Sequence, residues 1–352
     1  MLDEISSAKT EISKYLSGYF AKSSEETVHV NKWAPDLHNR LEKFMTQAKM
    51  LRGGLIVTTH KLLNGKNDEA ALMSAAAIEL MHSSLLIHDD IMDRDQLRRG
   101  ESTVYYQYEK LAEERKYLQP AEFGRAMGIC AGDEAFFMAY DILSQLPVEK
   151  DMLHTLLAKF TKEMKQVGLA QMEDVHFGHN KDEPTEQEIL KVFYFKTARY
   201  TFSLPFFMGG CLVGLSNSEL VSLEAIGEAL GVIFQIKDDE LGLFGSEKVI
   251  GKPSGSDLRE DKKTLFRLYL KEMAGAKEQS KLKKIYGSLE ITEAEVQYVR
   301  DLCEELGVMV KVQRKVREYA DYVQNEAASL NEAQALKPLI SDLLAYSLTR
   351  DY

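Results

Sequence analysis

Cysteine and proline are scarce in this chain, and its 44 basic residues are outnumbered by 55 acidic ones. The three cysteines, Cys130, Cys211 and Cys303, lie far apart. No CxxC pair occurs, so neither a zinc site nor a disulfide framework is supported, and a reducing, cytoplasmic setting is expected. The net charge of −11 excludes general nucleic-acid binding, which needs a basic footprint. It leaves room for a local basic pocket that binds phosphates. The opening MLDEISSAKTEISKYLSGYF lacks the basic start and apolar core of a signal peptide. AALMSAAAIELMHSSLLI, residues 70–87, is apolar enough to raise the question of a membrane. It carries Glu79, His82 and three serines, so a buried core helix is expected and no membrane span.

Only seven prolines punctuate 352 residues, and the long spans between them are rich in Ala, Leu, Glu, Lys and Met, which favour helices. Alternating β-branched runs with Asn-Gly turns are nearly absent. The pattern predicts an all-α protein of about a dozen helices, over roughly 2–22, 35–64, 68–95, 103–117, 120–146, 148–178, 185–214, 217–243, 257–274, 276–286, 292–328 and 331–350. No Gly/Ser linker or shift in composition divides the chain, which predicts a single domain over residues 1–352. Composition is otherwise ordinary, 45% hydrophobic and 28% charged, enough for a large core.

Against that background one local grammar occurs twice. In LLIHDDIMDRDQLRRG, residues 85–100, an apolar helix runs into Asp89, Asp90 and Asp93. In GVIFQIKDDELGLFG, residues 231–245, another runs into Asp238 and Asp239. Glycines follow each copy as stop signals, Gly100 in the first and Gly242 and Gly245 in the second. Acidic side chains near a helix C-terminus are unfavourable by roughly 0.3–1 kcal/mol, and Asp89 and Asp93 share a face at i, i+4, where like charges repel. Arg94, Arg98 and Arg99 offer the first copy an ordinary salt-bridge network. The second has only Lys237 nearby. A divalent cation answers both, because Mg²⁺ is held by one or two carboxylates and shares its other positions with water and substrate phosphates. Two such clusters facing one another would cage a diphosphate.

A diphosphate needs well-placed cations, and the chain supplies several sets. Lys49 and Arg52 stand in AKMLRGG, read as i, i+3 on a helix. Arg98 and Arg99 follow the first acidic cluster. Lys196 and Thr197 lie in FKTARYTF, and Lys252 and Lys262 lie in GKPSGSDLREDKKT. A P-loop reading of GSEKVIGKP fails, because the glycine spacing is one residue too long and Pro253 replaces the Ser/Thr.

Together these segments resemble the trans-isoprenyl diphosphate synthases of the polyprenyl synthetase family, most closely geranylgeranyl diphosphate synthases. DDIMDRDQLRRG is similar to the first aspartate-rich motif and its RRG. FQIKDDELGLFG with GKPSGSDLREDKKT is similar to the second. AKMLRGG, FKTA and AQMEDV resemble the GKxxR, KT and GQxxD segments, over residues 35 to 270. Departures are Ala48 and Met50 in the first basic segment, Tyr105 after RRG, Ala170, and Gly242 in place of the second motif's last aspartate. The resemblance implies an isoprenoid-synthase bundle around a central cavity, a homodimer and three Mg²⁺ ions. It implies Asp89, Asp93 and Asp238 as metal ligands with Asp90 and Asp239 close by. Arg98, Lys196, Thr197, Gln235, Lys252 and Lys262 would hold an allylic diphosphate and its metals, and Lys49, Arg52, His82 and Arg99 the diphosphate of isopentenyl diphosphate. Ala77, Met81, Ser84 and Leu85, before Asp89, would set product length. Small Ser84 leaves the first level open and points to geranylgeranyl diphosphate. Farnesyl or longer products, or a non-catalytic partner subunit, are the alternatives.

Overall fold

The protein is described by a computed structural model covering residues 2–245, 255–288 and 290–349. Apart from one two-residue strand pair, its regular elements are helices, as composition predicts. The chain divides into two compact units, residues 1–158 with 205–215, and residues 159–204 with 216–352.

The first unit is built on α4 (Asp68–Asp93), which packs against α3 (Leu51–Leu62) and α6 (Pro120–Ser144). α5 (Val104–Glu114) packs on α6, and α1 (Leu2–Thr27) lies on α2 (Trp33–Thr46) and α3. α4 is the apolar run that raised the membrane question. Its 18-residue apolar window is 78% buried inside the protein, so it is a core helix. Ala75, Ala76, Ala77, Ile78, Leu80 and Met81 are all fully enclosed. His88 seats its ring on Gly132 of α6, where a Cβ would fall 2.3 Å from Nε2. From there Nε2 reaches the Ile129 carbonyl and Asp133, each at 3.3 Å.

The sequence pattern joined α2 and α3 into one helix over 35–64. The chain instead breaks at Gln47–Met50, with Met50 left-handed at φ 53°. Lys49 therefore lies in a turn ahead of α3, not one helical turn from Arg52 as expected. Met50 has no side-chain cap to offer. The cap comes from α4, where the buried Glu79 carboxylate accepts the Gly53 N–H at 2.8 Å. A negative group at a helix N-terminus satisfies orphan donors and complements the dipole.

In the second unit α10 (Asn217–Phe244) is the central rod. It packs on the segment Phe193–Ser203 and on the helices Ser256–Arg259, Leu265–Met273, Glu293–Glu305, Val308–Ser329 and Lys337–Thr349. The expected helix 257–274 is broken between Arg259 and Leu265. The expected helix 292–328 is broken at Gly307, left-handed at φ 73°. Capping boxes start two helices, Thr185 with Glu188 at α8 (Glu186–Val192) and Thr292 with Glu295 at Glu293–Glu305.

The expected helix 185–214 changes its winding midway. α8 passes into eleven residues of π-helix, Phe193–Ser203, and then into α9 (Leu204–Leu212). π-helix is rare and concentrates at functional sites. Here α10 presents Gly231 to it, where a Cβ would come within 2.3 Å of the Ala198 Cα.

Candidate active site

In the first unit, α4 runs through Asp93, and Arg94 caps it in the left-handed region at φ 60°. The stop is made by Arg94, with the Asp95 N–H returning to the Asp90 carbonyl at 2.9 Å. Gly100, read from sequence as the stop, belongs instead to a hairpin, Leu97–Arg98 paired with Glu101–Ser102. Its turn residues Arg99 and Gly100 have φ of 53° and 80°, the backbone that two-residue hairpin turns need. An arginine there sits at a cost of about 1–2 kcal/mol, which fixes where its guanidinium starts.

The hairpin carries Arg98 back onto the acidic end of α4. Its Nε and Nη2 both lie 2.7 Å from Asp90 Oδ1, and Nη2 lies 3.9 Å from Asp89. Asp90 is fully buried and its Oδ2 accepts no hydrogen bond from the described residues. Burial pushes this carboxyl up to about 7 against the pull of Arg98, with Asp95 and Asp89 adding to the rise. Asp89 and Asp93 are half-buried. The salt-bridge reading thus holds for Asp90 and Arg98.

Two and three turns earlier on α4, His82 and Glu79 share a basic surround. Burial first, then the guanidiniums of Arg52, Arg99 and Arg98, hold His82 well below the usual imidazole range. Glu79 is raised by burial and pulled back by Arg52, the Gly53 N–H and Arg99. The structure thus brings Arg52, Arg98 and Arg99 within electrostatic reach of His82, with Arg52 in the first turn of α3, an arrangement that suits an anion. Lys49 is exposed, three residues before Arg52. Farther along α4, Ala77, Met81 and Ser84 are buried, Leu85 is half-buried, and Ser84 Oγ has no hydrogen-bond partner among the described residues.

The second unit places its residues on the π-helix and α10. Lys196 pairs with Asp174 of α7 (Lys150–His179). Thr197 donates to Gln235 Oε1 at 2.8 Å, and Gln235 Nε2 donates to Asp239 Oδ1 at 2.9 Å. A continuous relay of hydrogen bonds thus joins the KT segment to the second acidic motif. Asp238 is exposed. Asp239 is 7% exposed, and its Oδ2 is buried without a partner among the described residues. Burial raises its carboxyl well above the ordinary range, with Asp257 and Asp238 adding to the rise and Gln235 and Lys262 opposing it. Lys237, the counter-charge weighed from sequence, turns to Glu240 at 2.7 Å. Lys262 lies 3.3 Å from Glu260 and 3.7 Å from Asp257. Lys252 lies outside the described residues. Gly242 is inside α10, and the helix stops at Gly245, so of the two glycines only the second is a stop.

Three partners escaped the sequence reading. Asp174 stands in the AQMEDV segment. Glu79 is a lone carboxylate in an apolar run, itself a signal. Asp257, in SDLRE, is brought to Asp239 by the fold alone. Among the described residues no three acidic, histidine or cysteine side chains form a ready cage for a metal. Buried carboxylate oxygens without donors at both acidic ends fit a hard cation that arrives with phosphate and completes its octahedron with water and phosphate oxygens.

The family model for polyprenyl synthetase matches residues 35–303. The chain is 29% identical over 346 residues to geranylgeranyl diphosphate synthase of Sulfolobus acidocaldarius, covering 97% of this chain and 94% of that relative. It is 32% identical over 201 residues to (2E,6E)-farnesyl diphosphate synthase of Mycobacterium tuberculosis, covering 57% of this chain and 51% of that one. Its fold is that of geranylgeranyl pyrophosphate synthase from Corynebacterium glutamicum, solved with isoprenyl diphosphate and magnesium, with TM-score 0.91, 23% identity, and 98% and 99% of the two chains covered. A family match over more than half of its length settles the class: this chain belongs to the polyprenyl synthetase family and is a trans-prenyltransferase.

Proposed function

We propose that the protein condenses isopentenyl diphosphate head-to-tail with an allylic diphosphate, with Mg²⁺, and releases mainly geranylgeranyl diphosphate. Asp89 and Asp93 on α4, and likewise Asp238 and Asp239 on α10, act on diphosphate through the metal, with Asp90 held by Arg98. When bound, Mg²⁺ neutralises the diphosphate as a leaving group. Lys196 and Lys262 add fixed positive charge where negative charge develops, which is the larger part of such catalysis. Lys252 is assigned the same task. The relay Thr197–Gln235–Asp239 orients the carboxylate and carries the KT segment with it. It is the observation on which this reading chiefly rests.

Isopentenyl diphosphate is held by Arg52, Arg99 and Lys49. His82 stays neutral there and donates a hydrogen bond without adding charge. Its double bond attacks the allylic cation, and the departed diphosphate takes the final proton, so the protein supplies no nucleophile. Ser84 leaves the first level of the product channel open, and Met81, one turn deeper, closes it. The reading includes one catalytic domain, a homodimer, three Mg²⁺ ions and a cytoplasmic location.

The test is incubation with labelled isopentenyl diphosphate and each of three allylic primers, with and without Mg²⁺, followed by sizing. Label should enter twenty-carbon product only when Mg²⁺ is present. No incorporation overturns the activity, and fifteen-carbon or longer main products overturn the assignment of length. Asp89→Ala should lower turnover at least about 100-fold, and a few-fold effect overturns the metal assignment.

A further inference from the structure

The second acidic motif has Gly242 where a third aspartate would stand, and the fold fills that place. A Cβ at 242 would lie 2.4 Å from Oδ2 of Asp257 and 3.1 Å from its Cγ. The Asp257 carboxyl group therefore occupies the space a side chain at 242 would need. Position 242 follows Asp238 by four residues and Asp239 by three, so it shares their face of α10. Local geometry holds Asp257 there. Its short helix, Ser256–Arg259, packs on α10. The chain then turns through Asp261, left-handed at φ 50°, and the Lys262 N–H returns to the Asp257 carbonyl at 2.9 Å.

A separate observation points to a ligand. Asp239 is 93% buried, and its Oδ2 has no hydrogen-bond donor among the described residues, because Gln235 serves only Oδ1. A buried carboxylate oxygen without a donor is costly, and a cation is the group that removes the cost.

We propose that Asp257 is the third carboxylate of this metal site, standing in for the aspartate absent at 242, so that Asp238, Asp239 and Asp257 together receive a divalent cation carried by a diphosphate. The inference rests on the metal-diphosphate reading above and adds to it a ligand from another helix. It makes glycine at 242 a requirement, since any side chain there expels Asp257. The role of Lys262, beside Asp257, is then to meet the diphosphate at the same cation.

The experiment titrates Mn²⁺ into the full chain in the presence of inorganic diphosphate and reads free Mn²⁺ by electron paramagnetic resonance. Wild type, Asp257→Asn, Gly242→Asp, and the double variant Gly242→Asp with Asp257→Gly are compared. Asp257→Asn should weaken diphosphate-dependent binding by about 10- to 100-fold, the range seen when groups around a metal are removed, with its metal-free melting temperature unchanged. Gly242→Asp alone should also bind weakly, and the double variant should recover to within a few-fold of wild type. Wild-type affinity in Asp257→Asn, or no recovery in the double variant, overturns the inference while leaving the proposed function standing. No diphosphate-dependent Mn²⁺ binding by wild type overturns the proposed function itself.

Discussion

Arg199→Met tests how the π-helical segment is held in register. Nε and Nη2 of Arg199 each donate to Glu163 at 2.6 Å, Nη1 donates to the Tyr194 hydroxyl at 2.9 Å and pairs with Glu228, and Glu224 lies 3.6 Å from Nη2. Glu163 is 1% exposed and the arginine side chain 11%. Removing one partner of a buried pair costs about 3–5 kcal/mol, because the other charge is left uncompensated. Lys159 remains 3.1 Å from Glu163, which places the loss near the lower end, about 3 kcal/mol. At 1.36 kcal/mol per decade, that is roughly a 100-fold rise in the local opening constant. Hydrogen exchange measured by mass spectrometry on peptides covering 193–203 should show it, with peptides from α4 unchanged. Burial raises the Glu163 carboxyl, but Arg199 and Lys159 outweigh burial and hold it below the usual carboxylate range. A depressed folded value means the stabilisation is complete above the unfolded value of about 4.3 and fades as pH falls through the folded one. The gap between wild type and variant should therefore close on acidification below about pH 4. A change under about tenfold, or a gap indifferent to acid, refutes the reasoning.

Ser84→Phe should shorten the main product toward fifteen carbons, and an unchanged product profile would dismiss Ser84 as a floor residue. Gly231→Ala brings a Cβ within 2.3 Å of the Ala198 Cα, so backbone must move. Overpacking of this kind costs about 1–3 kcal/mol and should lower kcat by displacing Thr197 from Gln235. Unaltered turnover and melting temperature would show that the π-helix yields freely. His82 lies well below its ordinary range through burial and three guanidiniums, so it carries no charge at neutral pH. The KM for isopentenyl diphosphate should show no inflection from it; an inflection near pH 6.5 that His82→Asn abolishes would contradict this.

What could be read from the chain was whatever is local. The helix class, most helix spans and the apolar character of α4 follow from periodicity and from the rarity of proline. Both acidic helix ends stood out because carboxylates there oppose the dipole, an anomaly visible within four residues. What could not be read depends on distant contacts. The break before α3 is invisible in AKMLRGG because the group that caps it, Glu79, is 26 residues away on another helix. The π winding of Phe193–Ser203 leaves no trace in a hydrophobic pattern, and its contacts, Arg199 with Glu163 and Glu228 and Ala198 against Gly231, come from distant helices. A glycine stop was read at 242 because sequence rules know glycine as a terminator, whereas here its use is to leave room.

The same contrast separates two kinds of charge in this protein. Arg199, Lys159, Glu163 and Glu228 are charges that satisfy one another, so their net contribution is order, not readiness to bind. At Asp90 and Asp239 each carboxylate has one oxygen satisfied, by Arg98 or Gln235, and one left buried without a donor. If these are the metal sites proposed above, full pairing would stabilise both and leave a metal nothing to gain. On the proposed reading, a half-satisfied carboxylate is oriented by one partner while its other oxygen stays costly until a proton or a cation meets it. Difference in satisfaction, more than number of acidic residues, therefore distinguishes the ends of α4 and α10 from the buried network around Arg199.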